Sequence, residues 1–146
     1  MPTRTARTAW DGGLQDGSGQ VELTSSGLGT FDVSFPKRAS EDGGGVTNPE
    51  ELVGAAHSAC YAMSLAAALG KVNATPHSMD VTAHVSVGMS AAGLGLTGIE
   101  LVVRAEVEGI DNAAFLEAAE AAKINCPISK ALTGVPITLD AALITA

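Results

Sequence analysis

Hydrophobic and polar positions alternate through the first third of the chain. TFDVSF sets Phe31, Val33 and Phe35 on one side of an extended segment, and TRTARTAW and QVELT are two further short extended runs. Together they predict a meander with one face on a core. Between Lys37 and Val46 the pattern lapses, and Glu41, Asp42 and the run Gly43, Gly44, Gly45 predict a surface loop. At Thr47 a helix-start signature takes over. Thr47 or Asn48 is a capping residue, Pro49 suits the first turn, and Glu50 and Glu51 stand against the helix dipole. The helix is predicted to run to about Leu69, with Gly70 as its C-cap and Lys71 as a cation at its negative end.

After a turn at Pro76, MDVTAHVSVGM and IELVVRAEVEG read as strands. A second helix is predicted from Asp111 through AAFLEAAEAAK, broken around Asn125 to Pro127 and resumed briefly as ISKAL. The tail VPITLDAAL alternates again, with Ile137, Leu139, Ala141 and Leu143 on one face. The order β-β-β-α-β-β-α-β implies an α+β fold in which apolar helices pack on antiparallel sheet. Gly93, Gly95 and Gly98 match G-x-G-x-x-G literally. That fingerprint must open a helix, whereas strand alternation follows here, so the glycines are read as a hairpin connection and not a dinucleotide site.

Composition narrows the picture. The 146 residues fit one domain, residues 1–146, with no internal repeat or linker. Hydrophobic residues make up 46% and charged residues 16%, an apolar balance that points to surface hidden in a homo-oligomer. A formal net charge of -8 argues against nucleic acid and anionic membrane as partners, and favours small neutral or hydrophobic ligands. The run from Leu52 to Leu69 is nearly long enough to cross a bilayer, but His57, Ser58 and Ser64 interrupt it, so a central buried helix is expected. MPTRTARTAWDGG has no continuous apolar stretch of the signal-peptide kind, which makes a cytoplasmic, reducing compartment the expectation.

In such a compartment the two cysteines, Cys60 and Cys126, are inert core residues, metal ligands or redox-active groups, and not a structural disulfide framework. Thiol chemistry needs a thiolate, which an apolar helix does not favour unless a cation or a helix N-terminus stands beside the sulfur. Cys126 precedes Pro127, a residue suited to the first position of a helix, so its sulfur is placed where free N–H groups point. Cys60 has no helix end nearby and must borrow a cation. His57 lies three residues before Cys60, on the same helical face, which admits a Cys-His hydrolase or a metal site as well as a core histidine. There is no second close pair of ligands, and His77 and His84 read as structural or solvated. Taken singly, Glu50 and Glu51 are dipole partners, and Arg38 is a solvated charge at a strand end.

TNPEELVGAAHSACYAMSLAAAL, INCPISKAL and VPITLDAAL together resemble the OsmC/Ohr family of osmotically inducible proteins and organic hydroperoxide reductases, most closely its OsmC branch. The specific core is T-N-P-E, a cysteine ten residues after the glutamate, and a second cysteine followed by proline in a late helix. The resemblance implies an OsmC-like α+β fold with antiparallel sheets around two central apolar helices, in an intertwined homodimer. It implies a cysteine peroxidase for organic hydroperoxides, without metal, haem or flavin. On it Cys60 is the peroxidatic cysteine, Cys126 the resolving cysteine, and Glu50 the partner of an active-site arginine. Arg38 is assigned as that arginine, with Arg4, Arg7 and Arg104 as alternatives. The implied reductant is an external dithiol of the lipoyl type.

Ten residues of helix separate Glu50 from Cys60 by roughly 15 Å, too far for one site on one straight helix. A two-fold dimer with these helices crossing antiparallel brings Glu50 of one chain beside Cys60 of the other, so a composite site is expected. Two rival readings remain at this stage. One is a Cys60-His57 hydrolase or acyltransferase, and the other is a non-enzymatic, apolar-ligand-binding stress dimer with inert cysteines.

Overall fold

The N-terminal extended runs form β1 (Arg7–Asp11), β2 (Ser18–Glu22) and β3 (Thr30–Val33), an antiparallel sheet in the order β1-β2-β3. The computed structural model describes residues 1–144. Within it the chain divides into two compact units, Met1–Leu52 and Val53 onward. In the first unit β3 ends before Phe35, short of the expected TFDVSF strand. Ser34 is extended and its Oγ accepts from the Lys37 N–H at 3.4 Å, and Pro36 occupies the first turn of a short helix, α1 (Phe35–Arg38). Arg38 therefore closes a helical turn and is not a strand-end charge. The predicted loop follows, tightened by one 3-10 turn at Gly43–Gly45 whose three residues all have positive φ.

The long helix α2 (Pro49–Lys71) begins as its sequence predicts. Asn48 Oδ1 accepts from the Glu51 N–H at 2.8 Å, and Thr47 Oγ1 donates to Glu51 Oε2 at 2.6 Å. Its end differs from expectation. Gly70 stays helical, and Asn73 takes the left-handed conformation at φ 58°, while the Ala74 N–H donates back to the Leu69 carbonyl at 3.0 Å. Asparagine tolerates that conformation nearly as glycine does, so the stop lies two residues beyond Lys71.

In the second unit β4 (Thr75–Ser90) and β5 (Gly93–Glu108) form a long antiparallel hairpin closed by Ala91 and Ala92. Gly93, at φ 99°, makes the turn, and Gly95 and Gly98 continue as strand, as the hairpin reading required. Both strands exceed the predicted spans. Pro76 sits inside β4, where a register shift between Pro76 and Ser78 accommodates its missing N–H. Then come α3 (Asn112–Asn125), capped by Asp111 Oδ1 on the Ala114 N–H at 2.8 Å, the short α4 (Pro127–Ala131), and β6 (Ile137–Leu143).

β6 corrects the expectation of wholly antiparallel sheet, because it pairs parallel to β5 with Ile99 opposite Ile137. A parallel neighbour needs a crossover connection, and α3 and α4 supply it. On β5, Ile99, Leu101, Val103 and Ala105 are buried at alternate positions. They share one core with Tyr61, Leu65 and Leu69 of α2 and Phe115, Ala118, Ala119 and Ala122 of α3. The α2 residues recur every four positions, the spacing of one helical face. Gly54 continues this face toward β4. A Cβ on Gly54 would lie 3.3 Å from the Ala83 carbonyl oxygen, so the helix backbone approaches the sheet closely because the residue has no side chain.

Candidate active site

The residues expected to act together fall into two groups, each within one unit. In the first unit, α1 and the start of α2 bring Arg38 onto Glu50. Nη2 donates to Oε1 at 2.6 Å, and Nε donates to Oε1 and Oε2 at 3.2 and 3.1 Å. Glu50 is buried, with 8% of its surface exposed, so its charge is held by the guanidinium fork and not by bulk water. The hydrogen bonds to Glu50 raise the Arg38 pKa further, against the opposing effect of burial. The other arginines are engaged elsewhere. Arg4 donates to the Thr3 carbonyl at 3.1 Å, Arg7 lies 3.9 Å from Glu22, and Arg104 pairs with Asp140 at 2.9 Å. Arg38 also lines a cavity of about 580 Å³ whose other walls include Trp10, Leu14, Val21, Phe35 and Leu52. A charged donor at the edge of an apolar cavity suits a ligand with a hydrocarbon body and one polar end.

In the second unit, α2 and the junction of α3 with α4 bring Cys60 and Cys126 face to face. Both are free thiols, Cys60 half-buried and Cys126 fully buried. Cys126 caps the end of α3 and the start of α4 at once, with φ -57° and ψ 123°. That conformation follows from Pro127, which pushes the residue before it out of the helical region. Its side chain is thereby turned toward the first N–H groups of α4.

The ionisation of the two thiols follows from these surroundings. Burial raises the Cys126 pKa. The Ser129 N–H, the Ser129 hydroxyl, the Cys60 thiol and the Ile128 N–H all lower it, and they prevail. The N–H groups act here as dipoles facing the sulfur, since Cys126 makes no capping hydrogen bond of regular geometry. Cys60 goes the other way. Burial raises its pKa, the Ile128 N–H lowers it, Cys126 raises it, and the Ser64 hydroxyl lowers it, with a net upward result. None of these groups is a cation.

The placement of Cys126 at a helix start agrees with the sequence reading. The sequence reading gave Cys60 no helix end, whereas the Ile128 N–H of α4 reaches it. Ser64 and Ser129 were also not singled out. Their signals are spacing alone: Ser64 is one turn beyond Cys60, and Ser129 is three residues after Cys126, the N-cap of α4.

His57 is fully buried, and its Nε2 lies 2.8 Å from Ser129 Oγ, while Nδ1 has no partner among the described residues. Neither ring nitrogen is bonded to Cys60, so the Cys60-His57 hydrolase has no nucleophile-base contact to work with. Burial lowers the His57 pKa, which keeps the ring neutral. Tyr61, one position past Cys60, donates from its hydroxyl to the Ala119 carbonyl at 2.9 Å and ties α2 to α3 behind the thiols. Among the described residues no three His, Cys, Asp or Glu side chains gather as for a metal ion.

Comparison with known proteins places this geometry in context. The model of the OsmC-like protein family matches residues 42–140. The chain is 41% identical over 131 residues to Peroxiredoxin OsmC of Escherichia coli, with 90% of each chain covered. It is 34% identical over 113 residues to the organic hydroperoxide resistance protein of Xanthomonas axonopodis pv. citri, covering 75% of this chain and 77% of that one. The crystal structure of the organic hydroperoxide resistance protein OhrB of Bacillus subtilis superposes with a TM-score of 0.74 at 28% identity, over 94% of this chain and 98% of that one.

Proposed function

The chain belongs to the OsmC-like protein family, and from that premise we propose that it is a cysteine-dependent peroxidase that reduces organic hydroperoxides to alcohols. The observation that carries this reading is the facing pair of free thiols at the start of α4. The Cys60 thiolate attacks the outer oxygen of ROOH, the O–O bond breaks, and the leaving alkoxide takes a proton to become ROH. Cys60 is left as a sulfenic acid. Cys126 attacks that sulfur, hydroxide leaves and is protonated to water, and a Cys60-Cys126 disulfide forms. An external dithiol, of the lipoyl type, then reduces the disulfide and is itself oxidised.

Cys60 needs a cation that its own surroundings do not include, and the Arg38-Glu50 pair is a fixed one. Glu50 and Cys60 share α2, ten residues and roughly 15 Å apart along its axis. We assign the site to a homodimer in which Arg38 and Glu50 of one subunit serve Cys60 of the other. The exposed stripe of α2 supports this arrangement. Ala55, Ala56, Ala59, Met63 and Ala67 are all exposed, although α2 is apolar along most of its length. A second copy of the chain covers such a stripe at little cost, since small residues let helices approach closely. The family match runs across the division at Leu52, which supports reading both units as a single OsmC-like domain. A reducing compartment, the cytoplasm, accords with two thiols that must return to the free state after each cycle.

The test is consumption of cumene hydroperoxide with excess dihydrolipoamide, with Cys60→Ser and hydrogen peroxide as controls. Turnover that vanishes in Cys60→Ser is expected. A folded protein with free thiols that consumes no peroxide would return the chain to the ligand-binding reading.

A further inference from the structure

The buried histidine and serine beside the resolving thiol have no part in the steps above. His57 is sealed from solvent in the chain, Ser129 is 6% exposed, and the two are 2.8 Å apart although 72 residues separate them in sequence. An imidazole buried in an apolar core with one nitrogen unpartnered is costly to keep. The arrangement of protons explains what it does. Ser129 Oγ has one proton to give: His57 Nε2 lies 2.8 Å from it, and Cys126, three residues earlier at the N-cap of α4, is the other group on which its hydroxyl acts. If the hydroxyl gave its proton to Nε2, Nδ1 would carry the ring proton and be a stranded buried donor, the rarer and costlier kind of orphan. With the proton on Nε2 instead, His57 donates to Ser129, only an acceptor lone pair is left alone, and the Ser129 proton is free to turn onto sulfur.

We propose that His57 is a positioning residue that aims the Ser129 hydroxyl at Cys126, and that Ser129 holds Cys126 as a thiolate each time the catalytic cycle makes it one. This deepens the peroxidase reading and rests on it for its place in the cycle. Cys126 is a thiolate twice. It attacks the Cys60 sulfenic acid, forming the S–S bond as the S–O bond breaks and hydroxide leaves to become water. It is also the leaving group when the disulfide is opened. Cys126 is fully buried and Cys60 is not, so an incoming dithiol reaches the Cys60 sulfur. One thiolate of the reductant bonds to Cys60, and the electron pair of the S–S bond departs on Cys126. The second thiol of the reductant then displaces Cys60, yielding the cyclic disulfide of the reductant and both protein thiols. A stabilised thiolate leaves faster, so one hydroxyl serves both halves of the cycle.

The first experiment uses no peroxide. In a Cys60→Ser background, Cys126 is titrated by its ultraviolet thiolate absorbance with Ser, Ala or Thr at position 129. Ser129→Ala is expected to raise the midpoint by about one pH unit, the effect of one lost hydrogen bond to a charged group, and Ser129→Thr to restore it. The second follows a single turnover with one equivalent of cumene hydroperoxide, trapping the Cys60 sulfenic acid with dimedone. In Ser129→Ala, closure of the disulfide is expected to lag peroxide consumption by about tenfold more than in the parent, and the trapped adduct to accumulate. Equal midpoints for Ser, Ala and Thr, or a closure that keeps pace in Ser129→Ala, overturn the proposal. If Ser129→Ala does not fold, His57→Gln and His57→Leu decide, since only glutamine offers Ser129 an N–H. A midpoint that rises in His57→Leu alone supports the proposal, and equal midpoints overturn it. A parent protein that consumes no peroxide while the titration behaves as expected removes the peroxidase reading and leaves the His57-Ser129-Cys126 relay standing.

Discussion

Arg38 meets Glu50 edge-on, with Nη2 2.6 Å from Oε1 and Nε 3.1 Å from Oε2. Two donors on one planar group fix the direction of the guanidinium as well as its charge, and leave its other edge for a ligand. Arg38→Lys keeps the charge and loses the fork. In steady-state assays it is expected to lower kcat/KM for an organic hydroperoxide by about 100-fold, the range for losing one preorganised donor to a developing oxyanion. Folding should change less than in a variant that removes the charge, because lysine still leaves a cation beside the buried Glu50 carboxylate. A variant with unchanged kcat/KM would remove Arg38 from the mechanism.

Ser64 acts on the other thiol. Its hydroxyl favours the Cys60 thiolate from one turn away on α2. Ser64→Ala is expected to slow the reaction of Cys60 with peroxide by a few-fold near neutral pH, with the deficit shrinking at alkaline pH where the thiolate forms unaided. The pH profile of single-turnover peroxide consumption checks this. A deficit constant across pH would mean that Ser64 only packs.

His57 gives stability a pH dependence whose sign follows from burial. Its pKa in the folded protein lies below its unfolded value of about 6.5, so the unfolded chain binds the proton more readily. The contribution of neutral His57 is complete above the unfolded value and is lost as pH falls from there toward the folded one. Urea unfolding midpoints measured from neutral to mildly acidic pH should fall in the parent and fall less in His57→Gln. Parallel curves would show that the loss comes from other groups.

Two glycines of α2 should respond in opposite senses to the same substitution. Gly54→Ala places a methyl 3.3 Å from the Ala83 carbonyl oxygen, on a strand held along its length by β5, and overpacking of this kind costs about 1–3 kcal/mol. Gly70 has nothing within 4 Å of a Cβ, so Gly70→Ala should gain about 0.5–1 kcal/mol of helix propensity. Thermal melts of the two variants against the parent decide it, and a stabilised Gly54→Ala would mean that α2 can move away from β4.

How much of this was legible beforehand depended on whether the signal was local. The start of α2, the break at Pro127 and the alternation of β5 are written in neighbouring residues, and all three appear as read. The short helix carrying Arg38 was also local, in the capping pattern of Ser34 with Pro36, but the alternation of TFDVSF concealed it. Asn73 in place of Gly70 as the helix stop is a choice between two residues that both tolerate the left-handed conformation. The rest was not local at all. That β6 runs parallel to β5 depends on which edge the chain returns to, and that His57 finds Ser129 depends on two helices meeting across 72 residues. The pairing of Arg38 with Glu50 was reached by resemblance, since nothing in the spacing of Arg4, Arg7, Arg38 and Arg104 distinguishes them.

The parallel strand also sets an order of assembly. β4 and β5 are joined by two residues and can zip from their turn, whereas β6 must find β5 across a separation of 38 residues, from Ile99 to Ile137. Long-range closures of this kind are the slow part of folding. Cys60 precedes the hairpin and Cys126 follows it, so the thiols too meet only by a long-range closure, of α2 with the junction of α3 and α4. During refolding the hairpin should therefore gain hydrogen-exchange protection before Cys126 becomes shielded from an alkylating reagent, and the chain passes through a stage in which it has most of its sheet and none of its chemistry.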